Sequence, residues 1–149
     1  MHEQPHGCAE PPPDALIEGI SQFNRREFFE CHETLEALWK AEPGPIRELY
    51  QGILQVGVGL YHAERGNYPG ATLTLGRGLD RLRRFRPECH GVDVDDLVRQ
   101  AEASAEQLRR LGPQGIKDFE PRSDPVIRLR RGAETVREVD GHGAEPGDP

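Results

Sequence analysis

No apolar run in this chain reaches the length of about 18 residues that a membrane-crossing helix needs. The first residues, Met1-His2-Glu3-Gln4-Pro5, also lack the basic and apolar blocks of a secretory leader. These absences exclude a helical membrane span and lead to the expectation of a cytoplasmic protein. Cysteine is scarce. Cys8, Cys31 and Cys89 are odd in number and irregular in spacing, so neither a zinc finger nor a disulfide framework is expected. Cys31 reads as a small buried apolar residue, and Cys89-His90 as two adjacent ligands with no further donors near them in sequence. No glycine-rich phosphate loop is present, and neither Ser21 nor Ser104 has the histidine and aspartate pattern of a nucleophile.

Positive charge is also short. The net charge of −7 argues against a general affinity for nucleic acid. Residues 27–42 carry five glutamates against Lys40, whereas residues 77–86 carry Arg77, Arg81, Arg83, Arg84 and Arg86 against Asp80. The simplest expectation is two solvated helix faces that attract each other across a bundle. A docking patch for an anionic partner is the alternative, although no aromatic residues interleave with the arginines as base stacking would need.

Of the 149 residues, 35% are hydrophobic and 30% charged, which suits one small domain. Three segments are expected: a disordered lead-in over 1–13 ending in Pro11-Pro12-Pro13, a helical domain over 14–112, and an extended to disordered tail over 113–149. In that tail only Val126-Ile127-Arg128-Leu129 is expected to dock. The domain reads as an all-α compact bundle of about five helices. The first begins at Asp14, the second covers about 27–41 and stops at Pro43-Gly44, and the third runs from Pro45 to about Arg65. The fourth covers about 69–85, and the fifth, capped by Asp93, covers about 94–111 and closes at Gly112-Pro113. Phe28, Cys31, Leu35 and Trp39 recur as Tyr68, Ala71, Leu75 and Leu79, 40 residues later, the pattern of tetratricopeptide-like helical hairpins. His32 and Glu36 have no counterpart in the second copy, where Thr72 and Gly76 stand.

That pair carries the chemistry. At about 100° per residue, Phe28, Phe29, Leu35, Glu36 and Trp39 all lie within roughly 60° of His32, so imidazole and carboxylate are expected on the apolar face. Buried there, they need each other, a network or an ion. The third helix offers a second polar stripe of Gln51, Gly52, Gln55, Gly59 and His62 within roughly 60° of Gln55. Its glycines are expected to admit the helix bearing His32. His32, Glu36 and His62 would then make a site for zinc, manganese or iron, with Trp39, Arg47, Gln51 and Gln55 around it. If the chain is an enzyme, metal-assisted hydrolysis fits best, with Gln55 or Glu33 assisting a metal-bound water. The string His32-Glu33-x-x-Glu36 is not the zinc-protease helix, because its second histidine is missing. The competing expectation is a non-catalytic interaction module. Its His32–Glu36 pair, satisfied by Gln55, Tyr50 or Arg47, sets helix register, and its groove lies between the fourth and fifth helices. A protein partner or self-association is left open.

The series His32-x-x-x-Glu36-x-x-Trp39, with Phe23-Asn24, Phe29-Glu30, Arg47-x-x-Tyr50-Gln51-Gly52, Gln55, Tyr61-His62 and Gly66-Asn67-x-x-Gly70-Ala71, resembles a small bacterial and archaeal family known as domain of unknown function 309. The resemblance covers about 14–112. It implies a compact all-helical fold, with metal binding suggested for the signature residues and no settled activity.

Overall fold

The computed structural model describes residues 7–120 and 125–130, together with the backbone of 137–138. Five helices dominate: α1 (Asp14–Asn24), α2 (Phe28–Ala41), α3 (Arg47–Glu64), α4 (Tyr68–Leu82) and α5 (Val94–Gly115). Each packs chiefly on the next in sequence, α3 on α4 most extensively. The all-α expectation therefore holds. A small antiparallel sheet of two-residue strands is added to it: β1 (Glu88–Cys89), β2 (Val92–Asp93), β3 (Arg128–Leu129) and β4 (Arg137–Glu138), in that order.

The bundle is built from two copies of one hairpin, α1–α2 and α3–α4. After α1, Arg26 takes φ 65°; after α3, Gly66 takes φ 76°. The amide of Glu27 reaches the Gln22 carbonyl at 2.9 Å, and the amide of Asn67 reaches the His62 carbonyl at 2.9 Å. The next helices then begin alike, Cys31 N–H bonding Glu27 O and Ala71 N–H bonding Asn67 O, both at 2.9 Å. Even the close approach repeats. A Cβ on Gly19 would meet Leu35 at 3.0 Å, and one on Gly59 would meet Leu75 at 2.9 Å. Every one of these pairs is offset by the 40 residues seen in the sequence pattern. Left-handed geometry falls on Gly66, not on Asn67; the side chain of Asn67 caps α4, accepting from Gly70 N–H at 3.1 Å.

The glycines of α3 serve a different neighbour from the one expected. Cβ atoms on Gly52 and Gly59 would collide with Leu82 and Leu75 of α4, and one on Gly78 of α4 would lie 2.9 Å from the Gly52 carbonyl and the Val56 nitrogen. Small residues on both helices thus let α3 and α4 pack almost backbone to backbone. α2 meets α3 on another side, where Gly57 faces Phe23 and Phe28 at 3.5 Å.

The ends are tied down further than expected. Cys8 is 6% exposed and forms a disulfide with Cys89, 81 residues away, so the reading of Cys8 as part of a loose lead-in is corrected for residues 7–13. The His90 amide bonds Cys8 O at 2.7 Å, and the His90 ring lies 3.1 Å from Glu10 O and stacks on Tyr50. Cys89-His90 is therefore not a ligand pair. α1 starts at Asp14 with no side-chain cap, whereas Asp93 caps α5 as expected, accepting from Asp96 N–H at 3.0 Å. Gly112, at φ 69°, breaks α5, but the chain beyond it still packs, with Ile116 and Phe119 buried. Val126 and Ile127 do dock, through Gln100 and Asn24, and β3 pairs with β2. Residues 1–6, 121–124, 131–136 and 139–149, on which the remaining lead-in and tail expectations fall, lie outside the described residues.

Candidate functional site

His32 and Glu36 project from α2 at the edge of its buried face. The buried residues of α2 are Phe28, Cys31 and Leu35, while Phe29 is 70% exposed. The inward face is therefore centred on the side of His32 away from Phe29 and Glu36. The His32 side chain retains 42% of its exposure and that of Glu36 37%, which corrects the expectation that both face inward. Nδ1 of His32 lies 4.0 Å from Oε1 of Glu36, an ion-pair contact too long for a hydrogen bond, and Lys40 Nζ lies 3.5 Å from the other carboxylate oxygen. Glu33 is on the exposed side of the helix.

The other expected site residues divide between neighbourhoods. His62 shares a cavity with His32: about 320 Å³ between α2 and α3, lined by Phe28, Phe29, His32, Val58, Tyr61 and His62. Gln55 turns the other way, accepting from Arg81 Nη1 of α4 at 3.1 Å. Gln51 is half-buried on α3. The Arg47 guanidinium lies over the Trp39 ring, 5.3 Å from its centroid, a cation–π contact. The indole N–H of Trp39 and Nε of Arg47 are buried without a hydrogen-bond partner among the described residues, so Nε of Arg47 does not satisfy Glu36 as expected. Tyr50 is also remote from that role, packed against His90 with its hydroxyl pushed up to about 12 by burial and by the Glu42 charge. Burial likewise pushes the Cys31 thiol up to about 12.

Among the described residues, no group of three or more His, Cys, Asp or Glu side chains could hold a metal ion. His32, Glu36 and His62 do not make a closed donor set.

The arginines of 77–86 find partners elsewhere than in 27–42. Arg81 pairs with Glu48 at 2.9 Å, Arg83 with Glu102 at 2.8 Å and Asp80 at 3.2 Å, and Arg86 with Asp95 at 2.7 Å. Arg77 is exposed and makes no ion pair among the described residues. It lines a second hollow of about 510 Å³ between α4 and α5, with Tyr68, Leu73, Asp80, Arg83, Ala105 and Arg109. Tyr68 and Thr72 of that groove are the repeat equivalents of Phe28 and His32, so both hollows open beside the second helix of a hairpin, where it meets the next helix. Sequence reasoning missed Asn67 as a functional neighbour. Its Nδ2 lies 3.3 Å from His62 Nδ1, and the signal available was the spacing of Asn67 to Gly70 at a helix start.

No described helix is long and apolar enough to cross a membrane. Residues 16–74 match the family described as a domain of unknown function, DUF309. Over 103 residues the chain is 44% identical to the uncharacterized protein YpuF of Bacillus subtilis (strain 168), a match covering 66% of this chain and 59% of the relative. The chain thus spans less than two thirds of the length of the curated relative it matches. No solved structure matches.

Proposed function

We propose, for a chain that belongs to the DUF309 family through residues 16–74, a non-catalytic role as a helical interaction module that binds a partner segment in the α4–α5 groove. The groove between α4 and α5 carries this reading. At about 510 Å³ it is large enough for several side chains, and Leu73, one of three exposed large apolar residues in the described structure, stands 55% exposed on its wall. Arg77 lies one helical turn on without an acidic partner among the described residues, whereas Arg83 and Arg109 are neutralised locally by Asp80, Glu102 and Glu106. An apolar anchor flanked by acids suits such a wall.

The metal-dependent reading has no three-donor cluster behind it among the described residues, and Gln55, which would assist it, faces Arg81. A synthetic amphipathic helix bearing leucines with flanking glutamates is expected to bind, and its lysine counterpart is not. Arg77→Glu is expected to weaken binding about tenfold. Chemical-shift changes confined to α4 and α5 support the reading; equal affinity for both peptides overturns it. Thermal melts with a chelator and with added zinc or manganese are expected to coincide. A large metal-induced stabilisation lost in Glu36→Gln would instead favour the ion.

A further inference from the structure

Two of the three exposed large apolar side chains of the described residues stand together. Phe29 is 70% exposed near the start of α2, Tyr61 is 41% exposed near the end of α3, and both line the α2–α3 hollow. The repeat shows that the fold does not require these rings. Forty residues on, Pro69 and Ala101 take the places of Phe29 and Tyr61, while Phe28 and Val58 of the same hollow recur as Tyr68 and Val98. Aromatic rings clustered in water, where the scaffold makes do with proline and alanine, mark a surface that another molecule covers.

The charges around the hollow indicate which molecule. The start of α2 meets the end of α3 there, so the two helices run antiparallel. Glu33 lies one turn beyond Phe29 on α2, and Arg65 lies one turn beyond Tyr61 on α3. They flank the aromatic pair from opposite ends, an acid at one and a base at the other. Both are exposed, and neither has an ion-pair partner among the described residues. Nearby charges are engaged or point elsewhere. Lys40 lies 3.5 Å from Glu36, and Glu27 lies 3.2 Å from Arg25. Glu30 projects about 160° round α2 from His32, away from the hollow, and Glu64 lines a different hollow with Ile116 and Phe119. The Arg65 guanidinium rests over the Tyr61 ring, 5.4 Å from its centroid, which holds its charge at the edge of the apolar patch.

An apolar patch with an acid at one end and a base at the other is complementary to itself. Consider a two-fold axis lying in the interface, midway between Glu33 and Arg65 and perpendicular to the line joining them. It sets each acid against the opposite base, twice, and brings the aromatic rings of both copies together near the axis.

We propose that the α2–α3 hollow is covered by a second copy of this chain, in a two-fold dimer with Phe29 and Tyr61 at its centre and Glu33–Arg65 pairs at its ends. The patch is small, so the dimer is a weak one that exchanges with monomer. This surface is separate from the α4–α5 groove and stands or falls without it.

Sedimentation velocity of the full chain over a wide range of concentration, with NMR at both ends of the range, tests the proposal. The sedimentation coefficient is expected to rise with concentration, and the signals of Phe29, Val58 and Tyr61 to shift with it. Added salt should weaken the dimer. Arg65→Glu and Glu33→Arg should each weaken it at least about tenfold, because either change sets like charges opposite one another at both ends. Combined, they exchange the two ends and should restore it. Phe29→Ser, which removes a ring that is 70% exposed, should abolish the dimer and leave the melting curve of the dilute protein unchanged. A chain that stays monomeric at every concentration overturns the proposal, and the hollow then serves a different occupant or none. Association that survives both single reversals, or that shifts α4 and α5 instead, overturns it as well. So does a double variant that remains as weak as either single one.

Discussion

Replacing glycine by alanine at three places in the same pair of hairpins is expected to give three different results. In a helix interior, alanine is favoured over glycine by about 1 kcal/mol. At Gly76 nothing lies within 4 Å of the added methyl, so Gly76→Ala should gain close to that amount. At Gly59 the methyl would sit 2.9 Å from the Leu75 nitrogen and 3.1 Å from its Cα, which are backbone atoms of α4. Relief there requires the two helices to part, and overpacking of this kind costs about 1–3 kcal/mol or more. Net of the propensity gain, Gly59→Ala should lose up to about 2 kcal/mol. Gly19 is its repeat equivalent, but its methyl meets Leu35 Cδ2 at 3.0 Å, a side-chain end that can shift, so Gly19→Ala should fall between the two. Urea unfolding measures all three, read as midpoint shifts at constant slope. The reasoning is refuted if Gly59→Ala is as stable as Gly76→Ala, since the backbone approach of α3 to α4 would then not exist.

Two other perturbations address the ends and the core. The Cys8–Cys89 bond closes a loop of 81 residues, for which chain entropy gives a stabilisation of about 4–5 kcal/mol. Cys8→Ser with Cys89→Ser should lower the urea midpoint strongly and make it insensitive to dithiothreitol, whereas an unchanged midpoint would show that no such bond forms. Cys31 and Tyr50 hold their protons more tightly folded than unfolded, Cys31 with an ordinary value of 9.0 raised to about 12 and Tyr50 with 10.0 raised to about 12. Their contribution to stability is complete below pH 9 and lost as pH rises to 12. Unfolding free energy measured across that window should fall less steeply in Cys31→Ala than in the unaltered chain; parallel curves would reject the thiol's part.

Much of the architecture was legible because it is local or periodic. Helix boundaries at Pro43-Gly44, Asp93 and Gly112 follow from backbone chemistry within a few residues, and the structure keeps them to within a turn. The 40-residue recurrence was visible in four apolar positions of α2 and α4, and it extends to the turns, where Arg26 occupies the place of Gly66. An L-residue in left-handed backbone gives no signal comparable to glycine, so that part of the duplication was hidden in the sequence. The orientation of His32 was misjudged for a related reason. A helical wheel weighs Phe29 as an inward residue, and 70% of it faces solvent.

Composition and periodicity by themselves determined an all-helical domain, its turns and the doubled hairpin, because these depend on which residues neighbour one another along the chain. Tertiary structure alone decided which helix each polar face would meet. It turned Gln55 to Arg81, brought His62 beside Asn67 and the cavity of His32, and joined Cys8 to Cys89 across 81 residues. Side-chain periodicity specifies a face; the partner of that face is chosen by steric fit between backbones, and here glycines on both α3 and α4 made that choice.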